Sequence, residues 1–108
     1  MRRGALAVAA GTLLQPAQLG LLASLGVGRV PVRRRPRVAI FSTGDELRPL
    51  GEPLGPGQIY DSNRHALHGV LTRLGVEVID LGNVADTRDD TLRAFEAAAA
   101  QADAIVTS

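Results

Sequence analysis

At 108 residues and a formal net charge of +1, the chain has room for one small domain and lacks the broad basic face, interleaved with aromatics, that nucleic acid would need. It has no cysteine, which excludes disulfides, zinc–thiolate sites and thiol nucleophiles and fits a reducing cytoplasm. Its aromatic residues are Phe41, Tyr60 and Phe95 only, so Ala, Val, Leu and Gly must fill the interior, which suits an α/β layer structure better than a β-sandwich.

Met1, Arg2 and Arg3 followed by Ala5 to Ala10 imitate the start of a signal peptide. The apolar run is short, however, is broken by Gly11 and has no cleavage site after it, and nothing approaches a membrane span. Gly4 to Leu14 reads as small-residue strand or turn material. Pro16 suits the first position of a short helix with Leu19, Leu22 and Leu25 on its apolar face and Gly26 as its stop. A brief strand over Arg29 to Val32 is expected next, and Pro31 to Pro36, which holds Arg33, Arg34 and Arg35, reads as a solvated linker. Residues 1–35 offer too few buried positions to fold by themselves and are expected to be the end of a neighbouring domain plus linker.

Residues 36–108 have a regular pattern. Val38 to Phe41 is an apolar run of the kind buried on both faces of a sheet, and it ends in Ser42, Thr43 and Gly44. A loop rich in Gly and Pro follows, through Gly57. A helix is predicted from Ser62 to Leu74, with Leu67, Val70, Leu71 and Leu74 on one face and Gly75 as its end. Val76 to Leu81 reads as a second strand. Thr87 and Asp90 have capping-box spacing for a helix with Leu92, Phe95 and Ala99 on its inner side. Ala102 to Val106 completes a β-α-β-α-β order, the alternation of a parallel sheet covered by helices. Three strands with two helices leave part of a sheet face open, so an incomplete domain is expected.

Ligands of such sheets bind beyond the carboxyl ends of the strands. Those ends are Ser42 to Glu46, Gly82 to Asp86, and Thr107 with Ser108. The first group suits phosphate, Mg²⁺ or general-base work, and equally suits a turn. Asp61, Ser62 or Asn63 can cap the following helix, or its N-terminus can serve as an anion site. Asp86 either supports the next helix or faces Asp45 and Glu46 across the crevice, an arrangement suited to Mg²⁺. His65 and His68, three apart on a helix, have the spacing of a metal pair but no third ligand nearby. No Walker loop, GxGxxG or nucleophile elbow is present.

The run Arg37 to Leu47 (RVAIFSTGDEL) closely resembles the signature of the molybdopterin molybdenumtransferase family, which includes the gephyrin E domain. Pro56 to Asn63 (PGQIYDSN) and Leu19 to Val27 resemble it too, in register over nearly the whole chain. The resemblance implies a three-layer α/β molybdopterin-binding domain, of which residues 36–108 would be the N-terminal half. It implies transfer of molybdate to adenylated molybdopterin with release of AMP, a requirement for Mg²⁺, and a cytoplasmic homodimer. Glu46 and Asp86 match acidic family positions tied to activity and are expected as catalytic residues and metal ligands. Ser42, Thr43, Gly44, Asp45, Asn63 and Ser108 are expected to line the pterin and phosphate pocket. The family continues past the position of Ser108 into a Gly-Gly-x-Ser-x-Gly loop, so the polypeptide alone is expected to be inactive. The alternatives are a stand-alone molybdopterin-binding or adenylyltransferase-type domain and a non-enzymatic interaction module.

Overall fold

The computed structural model describes residues 1–108, which divide into two compact units, Met1–Arg33 and Arg34–Ser108. The first contains one helix, α1 (Pro16–Ser24), with proline in its first turn. It ends where Gly26 turns at φ +76°, with the Val27 N–H returning 3.0 Å to the Leu22 carbonyl. Gly4 to Leu14 forms turns and irregular chain, and the strand expected over Arg29–Val32 does not form. No ladder partner lies beside that segment, and Pro31 has no N–H to give one.

The second unit runs β1 (Arg37–Thr43), β2 (Leu47–Arg48), β3 (Ile59–Tyr60), α2 (Ser62–Arg73), β4 (Glu77–Val84), α3 (Arg88–Ala99) and β5 (Ala104–Thr107). The main sheet is parallel, in the order β4-β1-β5. Central β1 is buried from Val38 to Ser42, which accounts for its unbroken apolar run. Alternation sends Ser42 to one face, against the start of α2, and Phe41 to the other. There the Phe41 ring meets Phe95 of α3 edge-on, with centroids 5.2 Å apart. Helix, sheet and helix therefore make three layers. Arg34 joins this unit through a two-point ion pair with Asp103 at 2.5 and 2.7 Å, and the Arg37 N–H adds a third bond to that carboxylate at 2.8 Å.

The elements form where the pattern places them, with local differences. The Gly- and Pro-rich loop contains β2 and β3, a parallel pair too short to leave a periodic signal. On α2, Leu67 and Leu71 are half-buried, but Val70 and Leu74 stand 57% and 72% exposed. The row turned to the sheet begins instead at Arg64. On α3 the buried residues are Ala94 and Ala98, with Leu92 54% exposed, so the helix is rotated from the expected face toward its alanines. Thr87 caps α3, accepting from the Asp90 N–H at 3.1 Å.

A polar cluster joins α2 to the sheet. β4 shifts register against β1 between Ile40 and Ser42, where two steps of β1 span three of β4. The extra residue is accommodated around Gly82, whose φ of +79° suits a bulge glycine. Without the bulge Asp80 and Asn83 would lie on opposite faces; with it, Asp80 pairs with Ile40 and Asn83 with Ser42, so both serve the α2 side. The buried Asp61 carboxylate takes the Ser42 hydroxyl, the Arg64 N–H at 3.3 Å and Arg64 Nε at 2.8 Å. Arg64, 14% exposed, also binds both Asp80 oxygens at 2.6 and 2.7 Å.

Burial pushes the Asp61 carboxyl up, but the hydrogen bonds from Ser42 and Arg64 together outweigh it and hold the group below its ordinary value. Burial acts likewise on Asp80, and the Gly82 N–H and Arg64 reverse it. Arg64→Met would leave two carboxylates without their cation and should cost about 2–4 kcal/mol in denaturant unfolding; a change under about 0.5 kcal/mol would contradict the clamp. The folded chain binds fewer protons at Asp61 and Asp80 than the unfolded chain. Their contribution is therefore complete above the ordinary value of 3.8 and is lost as pH falls through the lower folded values. Thermal melts from pH 7 to pH 3 should show this loss in the wild type and much less of it in Arg64→Met.

Candidate functional site

The carboxyl ends of β4, β1 and β5 are stitched together by the backbone and by two side chains. The Thr43 N–H donates to the Ser108 carbonyl at 3.1 Å, and the Ser108 N–H donates to the Phe41 carbonyl at 3.3 Å. Gly44, buried and at φ +147°, leads the chain out of β1. Its carbonyl accepts from Asn83 Nδ2 at 3.0 Å and from the Leu47 N–H at 3.3 Å, closing a turn around Asp45 and Glu46. A Cβ at Gly44 would lie 2.7 Å from a Glu46 carboxylate oxygen, so the missing side chain gives that carboxylate room to fold back over the turn. Glu46 is anchored through its main chain, its carbonyl accepting from Ile59 at 2.8 Å.

From the neighbouring strand, the Asp86 N–H donates to Asp45 Oδ1 at 3.3 Å. The two acidic loops are thereby held side by side. Asp86 is the residue just before the α3 cap Thr87, at the positive end of that helix. An open cleft of about 380 Å³ begins there, lined by Asp86, Thr87, Arg88, Thr91, Leu92 and Phe95.

The residues expected to form the site are placed as follows. Asp45, Glu46 and Asp86 are exposed at adjoining strand ends. Thr43 is half-buried at the end of β1, and Ser108 is exposed beside it through the β5 pairing. Ser42 is fully buried, its hydroxyl committed to Asp61 with Asn83 Oδ1 3.3 Å away. Asn63 is exposed in the first turn of α2, whose cap is Asp61. His65 and His68 are both exposed on α2. No three His, Asp or Glu side chains gather as a metal cage. The strand-end carboxylates are hard oxygen donors that Mg²⁺ accepts in ones and twos when substrate oxygens complete its shell, so the donor chemistry fits that ion.

Asn83, which bonds the Gly44 carbonyl, and the Arg64–Asp80 pair beneath it were not singled out from sequence. A usable signal was present: Gly82 inside a strand marks a bulge, and a bulge changes which neighbours share a face.

Residues 39–108 match the family model described as "Probable molybdopterin binding domain". The molybdopterin molybdenumtransferase of Haemophilus influenzae is 44% identical over all of this chain and 27% of its own length. That of a Nostoc species is 46% identical over 92% of this chain and 23% of its own. Among solved structures, the molybdopterin biosynthesis moeA protein from Pyrococcus horikosii superposes with a TM-score of 0.82 at 39% identity, covering 94% of this chain and 26% of that one. The chain thus spans about a quarter of the length of these relatives. With the central strand from Ala39 onward, its two flanking strands and both covering helices inside the matched span, the chain belongs to the molybdopterin binding domain family.

Proposed function

We propose that the carboxyl edge of the sheet is a molybdopterin site. In the protein that carries this chain, it would serve molybdenum cofactor biosynthesis: insertion of molybdate into adenylated molybdopterin with release of AMP. The observation that carries the reading is the junction of the two acidic loops, where the Asp86 N–H meets Asp45 Oδ1 and Glu46 folds over Gly44. It lies at the edge where open α/β sheets take their ligands. The similarity to the Haemophilus influenzae transferase extends over all 108 residues, upstream of the family-model match that starts at 39. That upstream similarity favours the transferase over a stand-alone or adenylyltransferase-type domain.

In this reading Thr43, Gly44, Asp45, Asn63 and Ser108 face the pterin and its phosphate, and Ser42 holds their strand from beneath. Loss of AMP requires attack by a water oxygen on the adenylyl phosphorus, with cleavage of the phosphoanhydride P–O bond. The Asp86 carboxylate orients that water and takes its proton. Glu46 and Asp86 would hold Mg²⁺, which when bound would supply neutralisation of phosphate charge. Molybdate is the second substrate. Cytoplasmic location and assembly as a homodimer belong to the same reading, and no helix is long and apolar enough to cross a membrane.

In the polypeptide that carries this chain, Asp86→Asn should slow AMP release from adenylated molybdopterin about a hundredfold or more. Molybdopterin affinity, followed anaerobically by pterin fluorescence in a chain region without Trp, should stay within about threefold of wild type. Unchanged AMP release would remove Asp86 from the chemistry, and no saturable pterin binding by the wild type would overturn the site itself.

A further inference from the structure

We propose that Asn83 is a positioning residue for the Asp45–Glu46 turn, acting through the carbonyl of Gly44. Asn83 belongs to β4, yet its amide nitrogen donates 3.0 Å to Gly44 at the end of β1, and its amide oxygen lies 3.3 Å from the Ser42 hydroxyl. It reaches those partners because the bulge at Gly82 pairs it with Ser42.

Both ends of the carboxamide are thereby engaged. The oxygen faces the buried Ser42–Asp61 pair, and the nitrogen holds the first residue of the acidic turn. The Gly44 carbonyl also takes the Leu47 N–H at 3.3 Å, so one oxygen anchors both arms of the turn. Gly44 has no side chain to fix its conformation, and its φ of +147° lies where other residues are rarely found. The amide donor holds it there, placing Asp45 against the Asp86 N–H and Glu46 above Gly44. What this turn then binds rests on the molybdopterin reading above.

The test compares Asn83→Leu, which removes the donor, with Asn83→His, whose Nδ1–H can replace it. Amide hydrogen exchange and anaerobic molybdopterin titration are measured on both variants and the wild type. In Asn83→Leu the Leu47 and Asp86 amides should exchange about five- to tenfold faster, with Ile40 and Ile105 unchanged. Molybdopterin affinity should fall about fivefold, and Asn83→His should restore both readouts to near wild type. The proposal is overturned if the Leu47 and Asp86 amides behave as in the wild type, or if Ile40 and Ile105 speed up equally, the mark of a residue that only stabilises the fold. It is also overturned if exchange changes while affinity does not, or if His fails to rescue. If the wild type binds no molybdopterin, the functional reading fails, and the exchange pattern alone decides whether Asn83 positions the turn.

Discussion

A carboxylate in a small interior is tolerable only when donors surround it, and Asp61 meets that condition from two elements at once. The Ser42 hydroxyl reaches it from the central strand, while the backbone and side chain of Arg64 reach it from the first turn of α2. This matters because the apolar core is thin. Of its six buried apolar residues three are alanines, Ala39, Ala94 and Ala98, whose burial contributes little, so among the six the large side chains are Val38, Ile40 and Phe41, all on β1. The position of α2 on the sheet is fixed by the polar contacts to a degree that a larger core would not require.

The cluster also determines what happens at the ligand edge. Arg64 ties Asp61 to Asp80, and the Asp80 carboxylate in turn accepts the Gly82 N–H at 2.9 Å, holding the bulge from one side. Past the bulge, Asn83 turns back to β1 and meets both Ser42 and Gly44. A hydrogen-bond network that starts at the buried Ser42 and Asp61 is therefore continuous, through the more exposed Asp80 and Asn83, with the turn that presents Asp45 and Glu46. The acidic loops are exposed, but their main chains are not free to wander. The proposed pterin site would benefit from that restraint, because a loop ordered only on binding would spend binding energy on its own ordering.

The order of the elements was legible in the sequence because each depends on a local signal. The double-sided burial of β1 appears as the run from Val38 to Phe41, and the cap of α3 appears as the spacing of Thr87 and Asp90. Positions at the strand ends were legible for a topological reason, since a parallel sheet brings its carboxyl ends to one edge. The helix faces were read less well. Periodicity favours large side chains, so Val70, Leu74 and Leu92 were expected inward, whereas the sheet accepts Arg64 and the small Ala94 and Ala98. The strand expected at Arg29–Val32 had propensity but no partner. The pairing of Asn83 with Ser42 depends on a one-residue slip between two strands, which Gly82 hints at but which is defined only once the strands are paired.

The most direct test of the central claim, that the clamped strand ends receive molybdopterin, is an anaerobic titration of the ¹⁵N-labelled chain with molybdopterin, following backbone amide shifts. The largest changes are expected at Thr43 to Glu46, at Asn83 to Asp86 and at Thr107 and Ser108, with the amides at the opposite ends of the same strands, Val38 and Val78, unmoved. Shifts confined to the exposed face of α2 around Val70 and Leu74, or no shifts at saturating ligand, would contradict it.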